Sequence, residues 1–309
     1  MRALVIGGNG FIGSHLVDAL SARGWKVTVY DLYERRYDPL PPQVRYIKGD
    51  LSQTYLLRQA VTETDVVFHL AWATIHEVAN NDPTGDITAN LIPSLHLIEI
   101  CRQVGVRRLV FMSSGGTVYG PTDNLPISET HPQHPITAYG ITKLAVEKYL
   151  QMFHHLYDLD YAILRPSVPF GPRQNPLARQ GVVSVFLYRI SRDLPITIWG
   201  DGSVTRDYFY ISDLTNAIIA VAESEILNHR VFNIGGGQEI SLLQLLELVE
   251  EVIGKKGKVN SAPARKFDIP RLLLDTQLAT QELAWQPQVF MKQGIVQTWQ
   301  WMSGIEFPD

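Results

Sequence analysis

A single cysteine, Cys101, in 309 residues rules out an internal disulfide, so a reducing cytoplasm is the expected home. No apolar run approaches the roughly 18–20 residues of a membrane-spanning helix. The opening Met1-Arg2-Ala3-Leu4-Val5-Ile6-Gly7-Gly8 is too short and too broken by glycine for a signal peptide. Excess positive charge is missing as well. Lys and Arg total 27 against 31 Asp and Glu, a net charge of -4, which excludes the basic footprint of a general nucleic-acid binder. Nine histidines show no metal-ligand spacing. His154 and His155 are neighbours on an expected helix and point about 100° apart, so no metal is expected. Repeats and low-complexity tracts are absent.

What is present is ordinary globular composition, 45% apolar and 19% charged, enough to build a full core. Strands are expected at Ala3–Ile6, Lys26–Tyr30, Val44–Ile47, Asp65–His69, Arg107–Met112 and Tyr161–Leu164. Helices are expected at Phe11–Arg23, Tyr55–Val61, Asp86–Gln103 and Ala138–Tyr157. Such alternation gives an α/β fold, a Rossmann-type doubly wound parallel sheet with helices on both faces. After Arg165 the pattern changes. Pro166–Thr205, rich in Pro, Gly and Arg, reads as loops and short elements. Strands are expected again at Asp207–Ile211 and Val231–Ile234, around a helix at Leu214–Glu223, followed by amphipathic helices at Leu242–Ile253 and Ile295–Met302. The expected organisation is a dinucleotide-binding domain over 1–165, completed by about 207–236. A smaller interleaved substrate domain would comprise 166–206 and 237–309.

Gly7-Gly8-Asn9-Gly10-Phe11-Ile12-Gly13 follows the first strand and opens the first helix. Glycines there let the backbone turn tightly and approach a pyrophosphate, and the helix N-terminus offers free N–H groups. Asp31, at the end of the second strand, suits the adenosine ribose hydroxyls and would repel a 2′-phosphate, favouring NAD over NADP. Arg35 and Arg36 read as solvated loop charges. Asp50 is a candidate for the adenine amino group and, compatibly, for a helix N-cap. His69-Leu70-Ala71 ends the fourth strand with small residues where a flat cofactor can lie. Tyr139 and Lys143 stand four apart on one helix face, an arrangement in which the ammonium lowers the phenol pKa and makes the tyrosine a base. Ser113-Ser114-Gly115-Gly116-Thr117-Val118-Tyr119-Gly120 precedes them at the carboxyl end of the fifth strand, the edge where such sheets bind ligands.

With these motifs the chain resembles the extended short-chain dehydrogenase/reductases, and among them the NAD-dependent nucleotide-sugar epimerases typified by UDP-glucose 4-epimerase. Further resemblances are Arg165-Pro166 with Phe170-Gly171-Pro172-Arg173-Gln174, Gly200-Asp201-Gly202, Arg206-Asp207-Tyr208, Asn233-Ile234-Gly235 with Ser241-Leu242, and the late Arg265 and Asp268. The resemblance implies NAD contacts from Gly7, Gly10, Phe11, Ile12, Gly13, Asp31, Asp50, Leu51, Leu70, Ala71, Ala73, Asn90, Ser113, Tyr139, Lys143 and Pro166. Tyr139 would take a proton from a sugar hydroxyl, with Lys143 tuning it and binding the nicotinamide ribose. Arg206, Arg265 and Asp268 would face the substrate, the guanidinium forks gripping its diphosphate. A homodimer through helices near Asn90–Gln103 and Ala138–Leu156 is also implied.

Two positions depart from the pattern. Gly115 stands where many epimerases carry Ser or Thr, and Val168 where an Asn often follows the Arg-Pro pair. If the strand end is extended, Thr117 projects to the same side as position 115 and can supply the missing hydroxyl, making it both catalytic and substrate-binding. The other account of Gly115 is room for a bulkier sugar. Gly116-Thr117 before Val-Tyr-Gly argues against the dehydratases, which carry Asp-Glu there, and against the decarboxylases, which carry Glu. The leading expectation is epimerisation of a nucleotide-diphosphate sugar at C4 through a 4-keto intermediate. A nucleotide-sugar reductase and a catalytically idle NAD-binding scaffold are the alternatives.

Overall fold

The computed structural model describes residues 1–178, 180–265 and 268–307. A seven-stranded, wholly parallel sheet runs in the order β10-β6-β5-β4-β1-β2-β3. Its strands are β1 (Arg2–Ile6), β2 (Lys26–Asp31), β3 (Arg45–Lys48), β4 (Val66–His69), β5 (Arg108–Met112), β6 (Tyr161–Pro166) and β10 (Val231–Ile234). The helices that cross between them are α1 (Phe11–Ala22), α2 (Thr54–Thr62), α5 (Ile92–Val104), α6 (Ala138–Tyr157) and α8 (Ile211–Glu223). Strands β4, β5 and β6 are buried along their whole length, as parallel strands covered on both faces must be. Alternate residues feed opposite cores. Val5, Phe68, Val110 and Leu164 pack with Leu16, Leu20 and Ile218 of α1 and α8. Leu4, Val67, Phe111 and Ile163 pack with Leu57, Leu97, Val146 and Leu150 of α2, α5 and α6. Each fully buried aliphatic or aromatic side chain of this kind contributes about 1.5–3 kcal/mol.

The remaining elements form a second layer at the carboxyl edge. Strands β7 (Val168–Phe170), β9 (Thr205–Tyr210) and β11 (Glu239–Ser241) make a three-stranded sheet, and β8 (Ile196–Trp199) pairs with β12 (Val259–Ala262). Around them lie α7 (Val182–Ser191), α9 (Leu242–Ile253), α10 (Gln277–Leu283) and α11 (Met291–Ser303). Helix α9 begins with a capping box in which Ser241 and Gln244 satisfy each other's backbone N–H, and it ends at left-handed Gly254. Among the described residues no helix is long and apolar enough to cross a membrane.

The expected strands and long helices are found within a few residues of their predicted ends, with three differences. Pro166–Thr205 is the expected mixture of loops and short elements, but one of these is a helix. It is the buried, ten-residue α7, whose apolar run VVSVFLYRIS lies between the glycine- and proline-rich segments that dominate the composition. The single helix expected over Asp86–Gln103 starts earlier and is broken. Short helices α3 (His76–Asn81) and α4 (Pro83–Asp86) lead into a π-helical turn at Ile87–Leu91 before α5. Pro93 explains the widened turn, since it has no N–H to give to a carbonyl four residues earlier. The strand expected at Asp207–Ile211 is β9, displaced so that Ile211 already opens α8.

Candidate active site

Ile6 pairs with both Tyr30 and His69, so β1, β2 and β4 end flush and their loops meet at the point where strand order reverses. Close backbone contact there requires glycine twice. Gly7 has φ 81°, and a Cβ on it would lie 2.6 Å from the Ala71 nitrogen; a Cβ on Gly13 would lie 2.1 Å from the Gly7 oxygen. At Gly10 only the Gly7 oxygen comes near, at 3.3 Å, so its outer side is open. No side chain caps α1, and its first N–H groups remain available to an anion. Asp31 accepts from the backbone of Asn9 at 2.9 Å and Tyr33 at 3.0 Å. The adjoining cavity, about 190 Å³, is lined by Gly10, Phe11, Ser14, Arg35, Arg36 and Arg173 among others. Arg35 is not the solvated charge expected. Its side chain is 4% exposed and grips Asp18 at 2.6 Å. Arg173 joins the same carboxylate at 2.7 Å and reaches Asp38 at 2.7 Å. Nor is Asp50 a helix cap. It accepts from the Ser52 backbone at 2.8 Å, while Gln53 occupies the N-cap position of α2 without a side-chain capping bond, its Oε1 accepting from the Asp50 N–H at 2.8 Å instead.

Thr137 caps α6 by accepting from the Gly140 N–H, and this holds Tyr139 in the first turn. The Lys143 ammonium is buried. It donates to the Met112 carbonyl at 2.7 Å, 3.6 Å above the Trp72 ring and 5.7 Å from the Tyr139 ring. Burial drives its pKa well below the ordinary lysine value, against the opposing charges of Glu147 and Asp86. The expected lowering of the Tyr139 phenol is not found. Burial raises it, and the charge of Asp86 adds to the rise. Lys143 is committed to Met112 and Trp72 rather than to the phenol.

Asp86 is the unanticipated hub of this corner. Only 1% exposed, it accepts from Thr142 at 2.5 Å, Asn90 at 2.8 Å and Thr74. Asn90 turns its own oxygen to the Ala73 N–H at 2.8 Å. Ala73, Asn90 and α6 are therefore one hydrogen-bonded unit. Below it, Glu147 takes Ser113 Oγ and both faces of the Arg165 fork. Arg165 also donates to Tyr119, which donates to Asn233 at 2.7 Å. The Ser113 hydroxyl is thus engaged within the protein.

The 113–118 segment is a turn, not an extended strand end. Thr117 and Val118 both donate to the Ser114 carbonyl, at 3.3 and 3.2 Å. Side-chain parity between 115 and 117 therefore does not apply. Thr117 nonetheless faces α6, its Cβ 3.2 Å from where a Gly140 Cβ would stand, and its buried hydroxyl has no hydrogen-bond partner among the described residues. Gly115 does not leave space for a sugar either. A Cβ there would meet Leu274 Cδ1 at 2.5 Å and the Arg165 oxygen at 2.9 Å. Gly115→Ser should therefore lose about 1–3 kcal/mol of stability to overpacking. Thr117→Val should keep its stability and substrate KM while losing turnover. Thermal melts and steady-state kinetics of the two variants check this, and unchanged turnover in Thr117→Val removes Thr117 from the chemistry.

On the far side, Arg206 donates to the carbonyls of Thr205 at 2.8 Å and Ile269 at 2.6 Å, and burial lowers its pKa. Arg265 forms a two-pronged pair with Asp268 at 2.9 and 3.1 Å and lies over Trp199. Pro166 ends β6 and accepts from the Gly115 N–H at 2.9 Å. Ile12, Leu51, Leu70 and Ala71 line the strand ends partly buried, and Val168 pairs in β7 with Tyr208. Sequence reasoning missed Trp72, His76, Asp86 and Glu147. His76 was screened only for metal spacing; the others fall outside the glycine and Tyr-x-x-x-Lys motifs. Among the described residues, Asn9 Oδ1 beside the glycine loop and Trp72 Nε1 and Thr117 Oγ1 near α6 are buried with no hydrogen-bond partner. With the open Gly10 cradle and the uncapped helix, they fit a polar, diphosphate-bearing ligand such as a dinucleotide.

A glycine-loop dinucleotide fold with a tyrosine and lysine one turn apart at the carboxyl edge of its sheet is that of an extended short-chain dehydrogenase/reductase. The profile of the NAD dependent epimerase/dehydratase family matches residues 3–235, and the chain belongs to that family. It is 37% identical to the UDP-glucose 4-epimerase of Mycolicibacterium smegmatis, over 96% of this chain and 97% of that one. Among solved structures, it is similar to the Thermotoga maritima UDP-glucose 4-epimerase with UDP-glucose (34% identity, TM-score 0.94, 98% and 99% of the two chains covered). It is also similar to the Thermus thermophilus UDP-glucose 4-epimerase in complex with NAD (36% identity, TM-score 0.91, 98% and 99% covered).

Proposed function

We propose that the protein is an NAD-dependent epimerase of a nucleotide-diphosphate sugar, acting at C4 through a 4-keto intermediate. The observation that carries this reading is the joint position of Tyr139 and Lys143. They stand beside orphaned Trp72 Nε1 and Thr117 Oγ1, at the edge where the glycine loop opens. Relatives that act on and bind UDP-glucose, at over 30% identity and full length, support it. In this reading Gly7, Gly10, Phe11, Ile12 and Gly13 carry the dinucleotide diphosphate, with Asp31 on the adenosine ribose and Asp50 and Leu51 at the adenine. Leu70, Ala71, Ala73, Asn90, Ser113 and Pro166 border the nicotinamide half. NAD, when bound, supplies the acceptor and later the donor of the sugar hydride. Tyr139 holds and returns the proton of the sugar 4-hydroxyl. Lys143 binds the ribose, its ammonium 5.7 Å from the ring of a phenol that burial and the charge of Asp86 disfavour as an anion. Thr117 holds the sugar oxygen, and Arg206 and Arg265, with Asp268 orienting Arg265, grip the diphosphate.

The cofactor half comprises 1–165 with 207–236, and the substrate half 166–206 with 237–309. Exposed Ile92 on α5 and Ile141, Tyr149, Met152 and Leu156 on α6 support a homodimer through these helices, for which sedimentation should return twice the chain mass. One buried cysteine accords with a cytoplasmic protein. The test of the function is incubation with UDP-, dTDP- and GDP-sugars and product NMR. C4-inverted product without net NADH formation is expected; a reduced sugar with stoichiometric cofactor consumption would establish the reductase instead. NAD+ should bind more tightly than NADP+, because Asp31 repels a 2′-phosphate and Arg35 is occupied by Asp18. Tighter NADP+ binding in titrations would overturn that assignment.

A further inference from the structure

His76 opens α3 and faces Tyr139 across 4.5 Å between ring centroids, the planes tilted by 50°. The imidazole is partly exposed, and among the described residues neither ring nitrogen has a hydrogen-bond partner. Its other surroundings are charged. Burial holds its pKa below the ordinary histidine value, with Asp268 opposing and Arg265 and Arg206 reinforcing the shift. The ring therefore lies against the phenol ring and within electrostatic reach of the two arginines. With the diphosphate at the arginines and the reacting hydroxyl at Tyr139, the hexose lies within reach of His76.

We propose that His76 is a specificity-determining residue that hydrogen-bonds a hydroxyl of the substrate's sugar ring beside the reacting carbon; this rests on the nucleotide-sugar reading above. A neutral imidazole has one donor and one acceptor nitrogen, and a sugar hydroxyl can serve either. When the sugar displaces water from the cleft, a nitrogen without a partner becomes costly, so a sugar lacking that hydroxyl is rejected.

His76→Phe keeps a ring against Tyr139 and removes both nitrogens; His76→Gln restores a hydrogen-bonding group. The experiment measures kcat/KM for UDP-glucose and its 3-deoxy and 6-deoxy analogues, and titrates NAD-loaded protein with UDP-glucose and with UDP. His76→Phe should lower kcat/KM for UDP-glucose roughly 10–100-fold, the worth of one buried hydrogen bond left unmade. UDP affinity should stay within about twofold, since only the sugar contact is lost. One deoxy analogue should be as poor for the wild type as UDP-glucose is for His76→Phe, with no further loss in the variant. His76→Gln should recover part of the rate. Equal weakening of UDP and UDP-glucose, or an unchanged kcat/KM in His76→Phe, overturns the proposal. Should the wild type turn over no nucleotide sugar, the epimerase reading falls and the titrations decide alone. A preference for UDP-glucose over UDP that disappears in His76→Phe upholds the contact. A preference that persists, or is absent from the wild type, overturns it.

Discussion

Tyr139→Phe should give a folded, NAD-binding protein whose turnover falls by roughly 10²–10⁴, the usual worth of general acid–base catalysis. The substitution removes one oxygen, and among the described residues that oxygen makes no hydrogen bond to the protein. The ring contacts with Trp72 at 5.8 Å and His76 at 4.5 Å survive, so stability has little to lose. Substrate KM should move far less than kcat, because the lost interaction matters while the proton moves. Steady-state kinetics with a thermal melt check both halves. Near-normal turnover would show that another group is the base.

The second large effect is on folding. Glu147 is fully buried and Arg165 nearly so, joined at 2.5 Å. Removing one partner leaves the other charge stranded, which typically costs about 3–5 kcal/mol. Glu147→Gln should therefore show a loss of that size in urea unfolding. The double variant Glu147→Leu/Arg165→Met should recover more than half of it, since a well-packed apolar pair carries no uncompensated charge. A loss under about 1 kcal/mol in the single variant would mean that water reaches the pair. Turnover should fall in the single variant too. Ser113, bonded to Glu147, directly follows Met112, whose carbonyl seats Lys143.

How much of this was legible beforehand follows from where the information sits. Gly7–Gly13, Asp31, Tyr139 and Lys143 are local signals: a tight turn, a strand end and a helical spacing each follow from a few neighbouring residues. The strands of the central sheet announce themselves as apolar runs. Helix α7 was obscured because glycine and proline on either side dominated the composition of its stretch. The 113–118 turn defeated a parity argument that assumes extended backbone, and two glycines removed any side-chain preference that could have revealed it. Asp86 and His76 acquire meaning only across 50 or more residues of chain, through Thr142 and through Tyr139 and the arginines at 206 and 265, and Glu147 only across the 18 and 34 residues that separate it from Arg165's fork and Ser113. No short motif encodes such distant pairings. The tuning of the phenol failed for the same reason, since burial is a property of the assembled site.

Arg173 carries one further consequence. Reaching from the segment after β7, it bridges Asp18 on α1 and Asp38 after β2, at the rim of the cavity beside Gly10. Chain from beyond residue 165 is thereby strapped across the mouth of the glycine loop. A reductase must shed its oxidised coenzyme every cycle, and such a strap would slow it. An epimerase gives back the electrons it has borrowed, so a long coenzyme residence time is no handicap. Both pairs are partly exposed and should loosen as salt rises. Dissociation of radiolabelled NAD should accordingly quicken between low and high ionic strength, and more weakly in Arg173→Met. An exchange rate indifferent to both would mean that the strap does not govern coenzyme escape.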